Sequence, residues 1–518
     1  MRSFVLVLLT FALAAPAATA QTFPTGDPVL QRIWQEGMER SRVEPLAQVL
    51  LDSIGPRLVG TPQMQAAHDW AVRTFAAWGV PARNEAYGTW RAWERGTTHA
   101  DLIAPRVRSL DAMMLAWSPP TQGAVEGPVV VLPDVADEAA FAAWLPQVRG
   151  AFVAVSFPQP TCRPDGNWEE HALPATVERM KAARAAAQEN WSTRVRAGAA
   201  SPAALAQRLE AAGAAGLLTS NWSGGWGAER VFGAQTERIP MLSLSCEDYG
   251  LVARLAERGQ GPRLRVRAES RDLGTAPAMN TIAEMRGREL PDEYVVLSAH
   301  FDSWDGASGA TDNGTGTVVM MEAMRILRAV YPNPRRTILV GLWGGEEQGL
   351  NGSRAFTEDN PHVVEGLQAL FNQDNGTGRI ASISMQGFPD AGAFFARWFA
   401  GMPNELVGNI RLALPGMPSG GGTDHASFVC HGAPAFSLSA TPFDYFTYTW
   451  HTNRDTYDKI SFEDVQMNAV LTAMLAYLAS EDPERLPRTR REMPVNAQTG
   501  EREAWPACRP AQRSAPGR

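Results

Sequence analysis

Lysine is almost missing: Lys181 and Lys459 are the only two among 47 basic residues, and arginine supplies the rest. A basic excess is missing as well. With 55 acidic side chains the formal charge is −8 and the pI about 5.6, which excludes the basic face of a nucleic-acid binder. Cysteine is scarce. Cys162, Cys246, Cys430 and Cys508 never adopt the C-x-x-C spacing of a redox motif or a zinc ribbon. Four cysteines fit an oxidising compartment that permits disulfides. Of the three possible pairings, Cys162–Cys246 with Cys430–Cys508 is expected, because it keeps each pair within one domain. Beyond residue 20 no apolar run approaches the roughly 20 residues that a membrane span requires. The G-x-G-x-x-G and Gly-Lys-Ser/Thr phosphate motifs are also missing. Disorder is excluded in turn, since 45% of the chain is hydrophobic.

What is present falls into five stretches. Arg2, the apolar run Phe4 to Ala15 and the small-residue end Ala18-Thr19-Ala20 read as a cleavable signal peptide, 1–20. The product is therefore expected to be secreted or periplasmic, with no membrane span. Residues 21–115 combine helical spacing from Leu46 to Trp78 with a strand-like Tyr87 to Leu102. Residues 116–270 change texture, with short strands at Val129–Leu132 and Ala151–Phe157. An Ala/Arg-rich helical stretch from Ala172 to Ala215 follows, broken at Ser201-Pro202. From 271 to 487, strands Asn280–Met285, Tyr294–Ser298 and Thr337–Leu342 alternate with helices Gly316–Val330 and Val465–Ala479. That alternation predicts an α/β fold with a mostly parallel mixed sheet flanked by helices, interrupted by an insert at 116–270. The tail 488–518 has seven arginines, three glutamates and several prolines, and is expected to be flexible.

The chemistry sits at strand ends. Val295 to Ala299 is an apolar strand running into His300-Phe301-Asp302, and a period of two puts both polar side chains on one face. Asp312 lies in the glycine-rich run Gly309 to Gly316 ahead of a helix. The strand Thr337 to Leu342 delivers Glu346 and Glu347 after two glycines, and Leu370-Phe371-Asn372-Gln373 ends in Asp374. His451 follows Trp450 near a last helix. In open α/β sheets, ligands bind at the carboxyl ends of strands. Two imidazoles and several carboxylates there suit Zn²⁺. Two zinc ions about 3.5–4 Å apart would share a bridging carboxylate and a water. Glu346, beside a ligand but not one itself, is placed to act as general base.

In these motifs the sequence resembles the zinc-dependent exopeptidases of the leucyl aminopeptidase and glutamate carboxypeptidase group, most of all the carboxypeptidase Q branch. The likeness is carried by Gly55-Pro56-Arg57-Leu58, Trp93-Glu94-Arg95-Gly96, His300 to Asp305, Glu346-Glu347-Gln348-Gly349, Gly422-Thr423-Asp424, His451 with Asp455-Thr456, and Leu486-Pro487-Arg488. It implies a zinc exopeptidase (phosphorylase/hydrolase-like) domain with two Zn²⁺ per chain. His300, Asp312 and Asp374 would hold one ion, and Asp312, Glu347 and His451 the other. Glu346 would be the base and Asp302 the residue that orients His300. A cis peptide at Asp312–Asn313 is also implied. Asp424 and His425 would contact the substrate or support its pocket, and Trp450, standing where relatives carry Tyr, His or other residues, would be a third substrate-binding residue. Arg149-Gly150-Ala151-Phe152-Val153 and Ala211 to Gly216 resemble markers of a protease-associated domain, so the insert is expected to be β-rich. The implied activity is hydrolysis of dipeptides or short peptides, with homodimerisation possible. An aminopeptidase is the main alternative. A glutaminyl cyclase and a catalytically inactive receptor-like ectodomain are remoter ones.

Overall fold

Two strands of 23 residues each, β1 (Ala82–Ala104) and β2 (Arg263–Met285), pair antiparallel along nearly their whole length. They belong to a computed structural model that describes residues 23–515; the expected signal peptide 1–20 lies outside that range. Next to β2 run β3 (Leu290–His300), β4 (Arg336–Trp343), β5 (Leu367–Asn372) and β6 (Ala435–Ala440). Their lateral order is β6-β5-β3-β4-β2. The first four are mutually parallel and β2 is antiparallel to β4, which is the mostly parallel mixed sheet expected. Ile380–Ser384 and Arg411–Ala413 extend the edge beyond β6.

Burial explains these strands. All of β4 and β5 and the second half of β3 are buried, as continuous apolar runs must be when helices cover both faces. Val295, Leu297 and Ala299 enter one core while Tyr294 and Val296 enter another on the opposite side. Each such aliphatic burial contributes about 1.5–3 kcal/mol. Helix α1 (Thr315–Val330) and the apolar α2 (Phe462–Glu481) pack on each other and on the sheet. The register pairs Trp343 with His300 and Asn372 with Ser298. The three central strands therefore end together, and the loops that follow them meet at one rim.

Two expectations need correction. Residues 116–270 are not β-rich. They hold five α-helices, among them the 25-residue Pro174–Gly198, against four short strands besides β2. Nor do they form a separate sheet: Val125–Val131 pairs with β2, so the sheet continues through the ribbon. The tail is not loose either. Cys508 is bonded to Cys430, and Cys162 to Cys246, the expected pairing. Ser514 bridges to Thr89 and Arg513 pairs with Glu358 and Asp359. Trp505 lies against Phe388 and donates to the Val429 carbonyl. Arg488, Arg491 and Arg513 of the tail find partners on the body of the protein, which composition alone does not reveal. Among the described residues no helix is long and apolar enough to cross a membrane.

Candidate active site

His300 is the last residue of β3, and its ring is fixed from behind. Nδ1 donates to the main-chain carbonyl of Asp302 at 3.0 Å, which leaves Nε2 as the lone-pair nitrogen. Nε2 lies 2.9 Å from Asp374 and 3.2 Å from Asp312. His451 Nε2 lies 2.9 Å from Glu347 and 3.2 Å from the other oxygen of Asp312. Two triads thus share Asp312, and in each the potential ligand atoms lie within 4.8 Å of one another. A third grouping, Cys430, His431 and Cys508, is the tail disulfide and offers no thiolate.

Backbone contacts explain how Asp312 is presented. The N–H groups of Thr311 and Asp312 donate to the two carboxylate oxygens of Asp455 at 2.8 and 3.0 Å. The Asp312–Asn313 peptide is cis, as the resemblance implied. Asn313 donates to the Gln373 carbonyl at 2.9 Å, which binds the Asp312 loop to the Asp374 loop. A Cβ on Gly316 would stand 2.5 Å from that same carbonyl oxygen, so glycine is required there. Arg57, fully buried, donates to the carbonyls of Phe301, Gly55, Ser308 and Gly309 at 2.8–3.0 Å. The motifs contained Asp455 and Arg57, but their positioning roles depend on distant main-chain groups.

Asp302 does less for His300 than expected and more for the glutamates. Its carboxylate stands 3.8 Å from His300 Nδ1, while it accepts the N–H groups of Glu346 and Glu347 at 3.1 and 3.3 Å. Gly345, at φ +72°, makes the turn that brings both glutamates over the rim. His451 itself sits at φ +58°, an uncommon conformation for a non-glycine residue. Trp450 stacks on its ring at 3.9 Å, and Phe232 and Trp304 approach it at 5.2 and 6.2 Å. Val231 donates to its carbonyl at 2.8 Å. Through Val231 and Phe232, the 116–270 segment helps build the site, which its sequence gave no sign of.

The electrostatics are those of crowded acids. Burial and then the neighbouring Asp374, Asp424 and Glu347 push the Glu346 carboxyl well above its ordinary range, with His300 opposing. Burial and Asp312 raise Glu347 to about 7. Burial also disfavours the Asp312 anion, but the adjacent His300 and His451 rings outweigh it and hold that carboxyl low. His451 rises to about 10 because Glu347 and Asp312 overcome the effect of burial. Glu347 Oε1 is buried without a hydrogen-bond donor. Imidazole nitrogens converging with several buried carboxylates, two of them (Asp312 and Glu347) with an oxygen short of a donor, fit divalent zinc.

Asp312, Glu346, Glu347, Asp374, Tyr445, Trp450 and His451 line one cavity of about 470 Å³. Asp424 and His425 do not. Both are buried with no hydrogen-bond partner for their polar side-chain atoms, and the wall nearby is formed by Gly421 and Gly422.

Residues 280–476 match the model of Peptidase family M28. Carboxypeptidase Q of Bos taurus is 24% identical over 456 residues, covering 88% of this chain and 88% of that protein. The Homo sapiens carboxypeptidase Q is 23% identical over the same shares. Among solved structures, a Peptidase M28 precursor from Shewanella amazonensis superposes with a TM-score of 0.63 at 23% identity, over 89% of this chain and 97% of that one. The zinc aminopeptidase BSAP from Bacillus subtilis gives 0.53 at 18% identity, over 86% and 96%. Over residues 280–476 the chain is thus similar to family M28 peptidases, and along most of its length it is similar to carboxypeptidase Q.

Proposed function

We propose that this chain is an exported di-zinc exopeptidase that hydrolyses dipeptides or short peptides, as a carboxypeptidase Q-like enzyme. The observation that carries the reading is the pair of ligand triads sharing Asp312, with Glu346 beside them on the wall of one small cavity. His300, Asp312 and Asp374 would hold one zinc, and Asp312, Glu347 and His451 the other. Bound there, zinc supplies Lewis acidity to the scissile carbonyl and lowers the pKa of water.

The protein's own groups do the remainder. The Glu346 carboxylate takes a proton from the attacking water and returns it to the leaving amine. Asp302 fixes the main chain of Glu346 and Glu347 through their N–H groups, and Asp455 fixes that of Asp312. Trp450 and Phe232 hold the His451 ring in place. A cavity of about 470 Å³ suits a short substrate, and two disulfides suit an oxidising compartment.

The test is a peptide panel that is free at both ends, blocked at either end, or blocked at both. Free dipeptides and tripeptides should be cleaved and doubly blocked peptides left intact. Internal cleavage of a doubly blocked peptide would sink the exopeptidase reading. Loss of cleavage on N-acetylation alone would instead favour the aminopeptidase alternative, which keeps the same centre.

A further inference from the structure

Six arginines lie in the described part of the tail, and five of them have partners. Arg488 donates to the Val364 and Glu365 carbonyls and Arg491 to that of Gly416. Arg490 lies over the Trp505 ring, Arg502 pairs with Glu492, and Arg513 pairs with Glu358 and Asp359. Arg509 differs. It is exposed and forms no side-chain hydrogen bond or ion pair among the described residues. It lines the cavity that contains Asp312, Glu347 and His451.

Arg354, from the helix Asn351–Asp359, lines the same cavity and likewise forms no side-chain hydrogen bond or ion pair. Asp424, Glu346 and Glu358 attract it through space, while burial and the charge of Arg509 weigh against its cationic form. Two like charges near one cavity repel each other, so something must hold them there. Arg354 is carried by a helix, and Arg509 directly follows Cys508, which is bonded to Cys430. Both arginines also border an adjoining cavity of about 280 Å³ with Leu350 and that disulfide.

We propose that Arg354 and Arg509 form a carboxylate-binding subsite of the catalytic cavity, which orients a peptide substrate by a free carboxylate. Guanidinium groups match the planar, two-oxygen geometry of a carboxylate, and a partly enclosed site strengthens the attraction relative to water. Walls of a cavity this size lie within the reach of two or three residues, at roughly 3.3–3.6 Å per residue. A carboxylate held at the arginines therefore leaves the adjacent peptide bond near Glu346. The inference rests on the exopeptidase reading and deepens it. The carboxylate could be the C-terminus or an acidic side chain, and the test separates the two.

Binding is measured by titration calorimetry on the zinc-loaded full chain, with reduced-amide dipeptides that cannot be hydrolysed. One arm compares an Ala-Ala analogue with its C-terminal amide. A second compares C-amidated analogues ending in Glu and in Gln. The carboxylate form in one arm should bind about tenfold more tightly or better, as a charge-assisted hydrogen bond allows. The first arm identifies the terminus and the second the side chain. Arg509→Gln and Arg354→Gln should each remove most of that preference, and Arg509→Lys should keep part of it. In hydrolysis the Gln variants should raise KM with kcat nearly unchanged. Arg509 forms no side-chain hydrogen bond or ion pair among the described residues, so its variants should melt like the parent. No carboxylate preference in either arm, or a preference untouched in both Gln variants, would overturn the proposal. Failure to hydrolyse any peptide while the preference persists would sink the exopeptidase reading and leave the subsite standing.

Discussion

Glu346 lies among Asp374, Asp424 and Glu347 in a buried setting that keeps its carboxyl above the ordinary range, which suits a group that must both take and return a proton. Glu346→Gln keeps the shape and removes the acceptor. It should lower kcat about 10²–10⁴-fold at unchanged zinc content, and an unchanged kcat would contradict the assigned role. Asp455→Asn leaves one of the Thr311 and Asp312 N–H groups without its charged acceptor. Zinc affinity, measured by competition with a chelating dye, should weaken about 10–100-fold. Of the candidate triads, His300, Glu347 and Asp374 were legible in the sequence because each is a titratable residue at or just beyond the end of an apolar strand. Asp312 and His451 stand in loops and were legible only in company with them. The roles of Asp455 and Arg57 were not, because their partners are main-chain groups more than a hundred residues away, apart from Gly55. Asp424 and His425 were legible as residue types, but which way their loop turns them was not.

Among the elements, β3, β4, β5 and the two covering helices were read correctly because their apolar runs are long and bounded by polar rims. The segment 116–270 and the tail were misread for a common reason. Composition shows that a stretch is arginine-rich or interrupted by short strands, but not what it will pack against. Trp505 anchors the tail through Phe388 and the Val429 carbonyl. Trp505→Ala should cost about 2–3 kcal/mol, less than the full core value because the ring is only partly buried. The midpoint of chemical denaturation reads this, and an unmoved midpoint would mean that the tail does not contribute to the fold. Glu229 joins the inserted segment to the His451 loop, exchanging main-chain and side-chain hydrogen bonds with Asn453. Burial pushes its carboxyl up to about 8, from an ordinary value near 4.5. The fold therefore favours the protonated form, and stability drains away as pH rises from about 4.5 to about 8. Glu229→Gln stays neutral throughout. Its Tm relative to the parent should climb across that window by at least about 2 °C, and parallel curves at pH 5 and pH 8.5 would refute this.

At the scale of the whole molecule, the parallel sheet brings three strand ends to one rim, and the β1–β2 ribbon carries the inserted segment back over it. The tail closes a further side of the same cavity through the Cys430–Cys508 link. The two triads, the Phe232 ring of the insert that approaches His451 and the Arg509 side chain of the tail on the cavity wall thus come from three separate stretches of chain. The central claim is that the two triads sharing Asp312 are a working di-zinc peptidase centre. The most direct measurement is metal content per chain together with dipeptide hydrolysis, before and after chelation. Two zinc ions per chain are predicted, with hydrolysis lost on chelation and restored by zinc. Full hydrolysis by the metal-free protein, or no stoichiometric binding of zinc, would contradict the account.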